Sequence, residues 1–346
     1  MTHHHFNYDI TEDIRLVVER LGSDVELLNH KKILVTGGSG FFGRWLLQIF
    51  CYLIATQGFE IKVYLLSRNP SKFISENSDY PFQNFVTFVK GDVIDFELPD
   101  IQIDYLIHMA TTAASETFDG EDQLKKLDLL YRGTRNTLEN AVSKGVKKVL
   151  FTSSGVVYGA NTELPLTEDM LRAPKSTVVS AALGEGKRLA EYLTAYFAEK
   201  SGYRYSIARC FSFVGPFLPL NLHYAIGNFV SDALTKSKIT VKGTGQDLRS
   251  YLYIADAWVW LLKALIHAEN EVYNVGSSHA LSVGELALLV RDTLAVDKNV
   301  EFLGLSNTTD NFSRSFYIPN NEKIRQRFHV KEWTPLGVAI KKTANK

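Results

Sequence analysis

The sequence has few cysteines and no excess of charge of either sign. Its 346 residues include two cysteines, Cys51 and Cys210, and each lies in an apolar run. We therefore expect buried thiols rather than a disulfide, as in a reducing cytoplasm. The 38 basic residues balance the 38 acidic residues. No net field therefore favours nucleic acid or an anionic membrane as a partner.

Long apolar runs and targeting signals are also missing from the sequence. No run reaches the length of a membrane span, and the N-terminal residues lack the pattern of a signal peptide. The three histidines at residues 3–5 have no partner ligands at a defined spacing, so the sequence predicts no metal site. The composition, 45% hydrophobic and 22% charged, is that of a globular protein, and the chain is long enough to form a core.

A glycine-rich turn at residues 37–43 is the most informative stretch of the chain. It joins a short β-rich run to an apolar segment of helical length. The spacing of its glycines lets the backbone turn sharply and admits a phosphate close to bare amides. The pyrophosphate of a dinucleotide would then lie at a helix N-terminus, which favours anions. The predicted cofactor contacts in this turn are Gly37, Ser39, Gly40, Phe41, Phe42 and Gly43.

Strands and helices alternate through the first two thirds of the chain. The apolar runs are continuous, which is typical of strands covered on both faces. Strands are predicted at 32–36, 62–67, 86–90, 105–109, 148–152 and 204–209, and helices at 41–56, 121–143 and 181–201. This order predicts an α/β fold with a Rossmann-type, doubly wound parallel sheet, whose ligands bind at the carboxyl ends of the strands.

The alternation of strands and helices does not extend to the two ends of the chain. Residues 11–28 have apolar residues at helical spacing and predict an amphipathic helix within an N-terminal extension, residues 1–29. After residue 211 the chain is richer in loops, and we expect a smaller C-terminal substrate-binding domain. The predicted domains are 30–212 with about 250–276 for the dinucleotide, and 213–249 with 277–346 for the substrate.

The residues after the strands are candidates for cofactor contacts. Ser67 and Arg68 follow the second strand, where an NAD site usually has an acidic residue, and a guanidinium suits a 2′-phosphate, so this pair favours NADP(H). Asp92, followed by Val93, could bind the adenine amino group or cap the next segment. Ala110 and Thr111 would lie along the cofactor.

Several motifs in the same order resemble the extended short-chain dehydrogenase/reductase family of nucleotide-sugar epimerases, dehydratases and reductases. Besides the glycine turn they are Gly91-Asp92, Gly133-Thr-x-Asn136, Thr152-Ser-Ser…Val-Tyr-Gly159, Gly186-Lys-Arg-x-Ala-Glu191, Val214-Gly-Pro216, Gly227-Asn-Phe229, Arg249-Ser-Tyr-Leu-Tyr253 and Tyr273-Asn-Val-Gly276. The resemblance implies an NAD(P)-binding Rossmann domain, with Phe211 also near the cofactor, and a C-terminal domain for a nucleotide-diphosphate sugar. It also implies a homodimer through the helices at 121–143 and 181–201.

The resemblance further implies a Ser/Thr, a Tyr and a Lys at the reaction centre. Ser154 and Lys187 match two of these positions, but the tyrosine position holds Leu183. Leucine cannot exchange a proton. Another group or a water could supply it, the residue could be an engineered substitution, or the protein could bind without turnover. Tyr196 has the bare spacing to Lys200, but the flanking motif belongs to Lys187.

A second departure from the family narrows the predicted reaction. Dehydratases of the family carry an acidic pair after the catalytic threonine, and uronate decarboxylases carry a glutamate, whereas this chain has Gly155 and Val156. A nucleotide-sugar 4-epimerase or 4-ketoreductase remains, and NADP(H) would favour reduction. An inactive NAD(P)- or nucleotide-sugar-binding protein and an atypical dehydratase are the alternatives.

Substrate contacts are predicted in the C-terminal part of the chain. By family position Asn228 and Arg249 would bind the diphosphate, with Arg314 as a further candidate, because an arginine fork matches phosphate geometry. His223 could line the sugar pocket. Ser212 stands where many relatives have asparagine, so this sugar or nicotinamide contact differs from theirs.

Overall fold

A seven-stranded parallel sheet forms the centre of the molecule. The computed structural model describes residues 9–78, 81–111, 122–160, 165–220, 222, 224–304 and 316–345; the histidines at 3–5 lie outside these ranges. The strands of the sheet are β1 (Lys32–Thr36), β2 (Lys62–Ser67), β3 (Val86–Lys90), β4 (Tyr105–His108), β5 (Lys148–Ser154), β6 (Arg204–Cys210) and β11 (Glu271–Val275). Their order is β11-β6-β5-β4-β1-β2-β3, and every neighbouring pair is parallel. The predicted doubly wound sheet is therefore confirmed.

Helices cover both faces of this sheet. The helices of the described residues, on this sheet and beyond it, are α1 (Thr11–Leu21), α2 (Phe41–Gln57), α3 (Pro70–Glu76), α4 (Gln123–Ser143), α5 (Ala182–Ser201), α6 (Ala225–Thr235), α7 (Ile254–Ile266), α8 (Val283–Leu294), α9 (Glu322–Phe328) and α10 (Leu336–Ala344). Successive side chains of a strand point to opposite faces. Accordingly Ile33 and Val35 pack with α1, α2 and α7, whereas Leu34 packs with α4 and α5.

The N-terminal extension contains two helices rather than the single helix predicted over 11–28. Gly22 has a φ of 61°, a left-handed value that ends α1 at Leu21. The chain then continues as a 3₁₀ helix from Gly22 to Leu28. Val25 and Leu28 remain buried, so the apolar spacing continues across the break.

Ion pairs and hydrogen bonds join α1 to distant parts of the chain. Asp13 accepts hydrogen bonds from the Tyr253 hydroxyl at 2.9 Å and from Lys342 Nζ at 2.7 Å. Arg20 Nη1 donates to the buried carboxylate of Asp256 at 2.7 Å. The extension is thereby attached to α7 and α10.

The rest of the chain forms small sheets beside the large one. β7 (Phe213–Val214) pairs with β10 (Leu252–Tyr253), β8 (Lys238–Val241) pairs with β13 (Asn299–Phe302), and β9 (Leu248–Arg249) lies between β12 (Leu281–Ser282) and β14 (Phe316–Tyr317). Between β10 and β12 in sequence, the chain returns to the large sheet through α7 and β11, and β11 pairs with β6. Among the described residues, no helix combines the length and apolar character needed to cross a bilayer.

Candidate functional site

The glycine turn follows β1 at the point where the strand order reverses. Gly37 has a φ of 73°, and a Cβ there would lie 2.6 Å from the carbonyl carbon of Met109. A Cβ on Gly43 would lie 2.1 Å from the carbonyl oxygen of Gly38. The backbone itself therefore excludes side chains at Gly37 and Gly43, which keeps the turn tight against β4.

Among the described residues, Gly40 has room for a Cβ instead. The nearest atom to a Cβ at this position would be the Gly37 carbonyl oxygen at 3.5 Å. Gly40 is the N-cap of α2, and within the described chain no side chain caps this helix end. The amides of the first turn of α2 can therefore donate to an anion, so the turn fits the pyrophosphate of a dinucleotide.

The other predicted residues of the turn differ in exposure. Ser39 is exposed, and Phe41 is half-buried. The Phe42 ring packs edge-on against Phe213, with centroids 5.0 Å apart, and against Trp258 at 6.1 Å. The Phe42 side chain therefore belongs to the core, and only its backbone is available to a ligand.

The predicted residues after β2 lie near the start of α3. Ser67 is buried, and its Oγ accepts a hydrogen bond from the Asn69 amide at 3.3 Å. Arg68 is exposed. Asn69 caps α3 by accepting from the Lys72 amide at 3.1 Å. The arrangement leaves the guanidinium of Arg68 on the surface at the carboxyl end of β2.

The predicted contacts after β3 and β4 are also at strand ends. Asp92 Oδ1 accepts from the Ile94 amide at 3.1 Å, which is the capping interaction considered from the sequence. Val93 is buried against Gly133 of α4. Ala110 is half-buried and Thr111 is exposed.

His108 at the end of β4 has partners on both ring nitrogens. Nδ1 lies 2.6 Å from Thr36 Oγ1, and Nε2 lies 3.0 Å from Thr134 Oγ1. Burial, with a smaller effect from the charge of Lys187, lowers the pKa of His108 to about 3. His108 is therefore neutral at physiological pH and links β1 to α4.

Lys187 is buried beside the carboxyl end of β5. Its Nζ donates to the Thr152 carbonyl oxygen at 2.7 Å and lies 4.9 Å from the centroid of the Phe151 ring. Burial lowers the pKa of Lys187 from 10.5 to about 8, against weaker opposing effects of Cys210 and Glu191. Most of the lysine is still charged at pH 7, so a buried positive charge on α5 lies against Thr152, two residues before Ser154 on β5.

A buried ion pair holds the helix that carries Lys187. Arg209 Nη2 on β6 donates to Glu191 Oε2 at 2.8 Å, and Glu191 lies one turn after Lys187 on α5. Arg209 Nη1 donates to the Tyr158 hydroxyl at 2.9 Å, which donates to Asn274 Oδ1 at 2.8 Å. These contacts join α5 to three strand ends and restrain the position of Lys187.

Ser154, the last residue of β5, contacts a tyrosine from a distant part of the chain. Its Oγ lies 3.3 Å from the hydroxyl of Tyr317 and accepts from the Val156 amide at 3.3 Å. The Tyr317 hydroxyl also donates to the Cys210 carbonyl oxygen at 3.4 Å. Tyr317 belongs to none of the sequence motifs, and only the pairing of β14 with β9 could have indicated its place.

Two rings fill the space beside Gly155. A Cβ there would lie 2.7 Å from Cε1 of Phe211 and 2.9 Å from Cε2 of Tyr317. The two ring centroids are 4.7 Å apart. A side chain at Gly155 would therefore require both rings to move. Phe211, a predicted cofactor contact, lies at the Ser154 end of the site.

Leu183 lies one turn before Lys187 on α5. It is half-buried and packs against an apolar cluster at the end of β5. The buried members of this cluster are Val156, Val157, Tyr158, Leu166, Phe211 and Tyr317. Position 183 is thus occupied by a hydrocarbon side chain in apolar surroundings.

The predicted substrate residues are only partly brought together. Arg249 on β9 is paired in register with Tyr317, which places it near the Ser154 end of the site. Ser212 is half-buried and its carbonyl oxygen accepts from the Leu252 amide at 3.0 Å. Asn228 lies in the first turn of α6. His223 and Arg314 lie outside the described residues.

The sequence matches a known family model over most of its length. Residues 33–276 match the model of the NAD dependent epimerase/dehydratase family. Among curated relatives, UDP-glucuronic acid decarboxylase 2 of Arabidopsis thaliana is 28% identical over 271 residues. The match covers 78% of this chain and 59% of the relative, so the chain spans about three fifths of that protein's length.

Solved structures of two nucleotide-sugar enzymes have the same fold. UDP-glucose 4-epimerase from Thermotoga maritima, solved with UDP-glucose, has a TM-score of 0.75 at 23% identity, covering 90% of this chain and 97% of that one. dTDP-glucose 4,6-dehydratase from Streptomyces venezuelae, solved with NAD, has a TM-score of 0.73 at 20% identity, covering 90% and 95%. At these identities the likeness is one of fold.

Proposed function

The chain belongs to the NAD dependent epimerase/dehydratase family, and on this premise we propose that it is an NAD(P)-dependent nucleotide-sugar 4-epimerase or 4-ketoreductase. The observation that carries the proposal is the end of β5. There the buried, charged Lys187 donates to the Thr152 carbonyl oxygen, two residues before Ser154, while the two positions after Ser154 hold Gly155 and Val156. This set can support transfer of a hydride and one proton, and it contains no carboxylate at the two positions where dehydration or decarboxylation would need one.

Each residue has a defined part in this chemistry. A nicotinamide dinucleotide, when bound, would donate or accept the hydride at sugar C4. The first turn of α2 would hold its pyrophosphate. Lys187 would bind the nicotinamide ribose and stabilise negative charge at the reacting oxygen. Ser154 Oγ would hydrogen-bond the C4 oxygen.

Dehydration is disfavoured for a steric as well as a chemical reason, because the first residue of the dehydratases' acidic pair would stand at position 155. Phe211 and Tyr317 occupy the volume that a side chain at Gly155 would need. An acid therefore could not enter at this position without displacing both rings. This exclusion supports a reaction confined to C4.

Replacing Leu183 with tyrosine tests the proposed function. Both the wild type and the Leu183→Tyr variant should turn over a 4-keto nucleotide sugar with reduced nicotinamide, the variant at least as fast because a phenol at position 183 adds a proton donor one turn before Lys187. The measurement is the loss of nicotinamide absorbance with dTDP-4-keto-6-deoxyglucose, and the interconversion of UDP-glucose and UDP-galactose with NAD. Leu183→Phe controls for ring size without the hydroxyl. If neither wild type nor Leu183→Tyr turns over or binds these sugars, the proposal is refuted.

A second candidate function rests on the surroundings of Leu183. Its side chain packs into an apolar cluster, which is compatible with a protein that binds NAD(P) or a nucleotide sugar without turnover. In that case the wild type would bind the sugars above and remain inactive.

We also propose that the cofactor is NADP(H), read by Arg68 after β2. The Arg68→Ala variant should lose about 10-fold in NADP affinity with NAD affinity unchanged, because the guanidinium would contact only the 2′-phosphate. Calorimetric titration with both dinucleotides measures this. The matched control is Arg135→Ala on the exposed face of α4. Equal NADP affinity in Arg68→Ala and wild type would contradict the assignment.

The remaining parts of the proposal concern organisation. Residues 213–249 and 277–346 would bind the nucleotide sugar, with Arg249 and Asn228 on its diphosphate and Ser212 on the sugar. The protein would form a homodimer through α4 and α5, where Leu124, Leu189, Tyr192 and Tyr196 are exposed. The free thiols of Cys51 and Cys210 suit a cytoplasmic location.

A further inference from the structure

The Tyr317 hydroxyl lies where the reacting oxygen of a sugar would be bound. It is 3.3 Å from Ser154 Oγ, the group that would hydrogen-bond the C4 oxygen. The tyrosine is 8% exposed, so its ring is held by the surrounding protein. The hydroxyl also donates to the Cys210 carbonyl oxygen at 3.4 Å, near the upper limit for a hydrogen bond.

The strand that carries Tyr317 is tied to the site from several sides. β14 pairs with β9, with Tyr317 opposite Arg249. The next residue, Ile318, accepts a hydrogen bond from the Leu166 amide at 3.1 Å. The tyrosine ring packs on Phe211. The hydroxyl is therefore positioned by backbone pairing and ring packing rather than by a single flexible side chain.

Two observations near Ser154 concern proton transfer. The family's tyrosine position holds Leu183, which has no proton to exchange. A phenol from another strand nevertheless reaches the same serine. We propose that Tyr317 is the catalytic acid and base of this protein, exchanging the proton of the sugar C4 oxygen in place of a tyrosine at position 183. This inference rests on the proposed function, since it assumes hydride transfer at C4.

The step balances in both directions. In reduction, the C4 carbonyl carbon accepts a hydride from the reduced nicotinamide, and the carbonyl oxygen takes the proton of Tyr317 as the phenolic O–H bond breaks. The electron pair stays on the phenolate oxygen, which then regains a proton from water. In oxidation, the phenolate removes the C4 hydroxyl proton while C4 gives its hydride to the oxidised nicotinamide. Ser154 Oγ, 3.3 Å from the Tyr317 hydroxyl, can hydrogen-bond the phenolate oxygen in either case.

Tyr317→Phe removes only the hydroxyl and tests the assignment directly. We expect kcat with dTDP-4-keto-6-deoxyglucose, or with UDP-glucose, to fall about 10²–10⁴-fold. KM for the sugar and the affinity for the dinucleotide should change less than about threefold, because the ring and the glycine turn are untouched. The matched control is Tyr196→Phe, an exposed tyrosine on α5, which should keep wild-type kcat.

A double variant separates a catalytic from a structural role. Adding Leu183→Tyr to Tyr317→Phe should restore at least about 10-fold in kcat, since it supplies a new phenol beside Lys187. A merely structural role for Tyr317 would lower dinucleotide affinity or thermal stability, and a hydroxyl at position 183 would not rescue it.

The possible results of these experiments separate the assignment of Tyr317 from the proposed function. Wild-type kcat in Tyr317→Phe overturns the assignment and leaves the proposed function intact. An inactive wild type with an active Leu183→Tyr variant also overturns it, because Tyr317 then fails to act although the scaffold is competent. If neither protein turns over, the proposed function fails and the assignment fails with it.

Discussion

The Lys187→Met variant should lose at least about 10²-fold in turnover and yet be more stable than the wild type at pH 7. Turnover falls because the buried charge beside Ser154 is removed. Stability rises because folding no longer buries that charge. The drop of the Lys187 pKa from 10.5 to about 8 corresponds to about 3 kcal/mol. Loss of the hydrogen bond to Thr152 lowers the free energy of unfolding by about 1 kcal/mol. The expected net gain in the free energy of unfolding is therefore about 2 kcal/mol.

The pH dependence of this difference has a definite sign. Between pH 8 and 10.5 the unfolded chain still binds the lysine proton that the folded chain has released, so wild-type stability rises with pH across this range. The advantage of Lys187→Met should therefore shrink over the same range. Urea denaturation of both proteins from pH 7 to 10.5 measures the difference between their free energies of unfolding. The contributions of the other titrating groups are the same in both proteins and cancel in this difference.

An exposed lysine on the same helix provides the control. Lys200→Met should change neither turnover nor the pH dependence of stability, because Lys200 is exposed near the end of α5. Parallel stability curves for Lys187→Met and wild type would show that Lys187 carries no buried charge.

Two glycines of the same turn should respond oppositely to alanine. In Gly43→Ala the new Cβ would lie 2.1 Å from the Gly38 carbonyl oxygen, so backbone must shift and about 3 kcal/mol or more of stability should be lost. In Gly40→Ala the Cβ meets only the Gly37 carbonyl oxygen at 3.5 Å. The fold should tolerate it within about 1 kcal/mol, while dinucleotide affinity falls about 10-fold or more because the Cβ takes space needed by the pyrophosphate.

Thermal unfolding and dinucleotide titration of both variants separate fold from ligand. Gly202→Ala is a suitable reference, since Gly202 has a left-handed φ of 77° but no neighbour within 4 Å of a Cβ. It reports the strain of the backbone conformation alone. Unaltered dinucleotide affinity in Gly40→Ala would mean that the pyrophosphate is not bound at this turn.

Local patterns predict those parts of the fold that are decided locally. The strands predicted at 32–36, 62–67 and 86–90 have the same limits in the structure, because each is a short run rich in apolar and β-branched residues that ends in a polar residue. The end of α1 was not predictable in this way. Its apolar spacing continues to Leu28, and only the conformation of Gly22 marks the change to a 3₁₀ helix.

In the candidate site too, residues placed by a local motif could be predicted and residues placed by distant contacts could not. Lys187 and Leu183 were predictable because one motif on one helix carries both positions. Tyr317 was not, because its contact with Ser154 joins residues 163 apart in sequence and depends on the register of two strands of two residues each. The filled space at Gly155 likewise depends on rings from β14 and the segment after β6.

The attachment of α1 has a consequence for biosynthesis. Its partners lie 236 to 329 residues further along the chain. During translation the apolar face of α1 therefore has to wait for α7, and the Asp13–Lys342 pair can form only after α10 has left the ribosome. Contacts of such separation close late. The docking of α1 is therefore completed only after α10 has been synthesised.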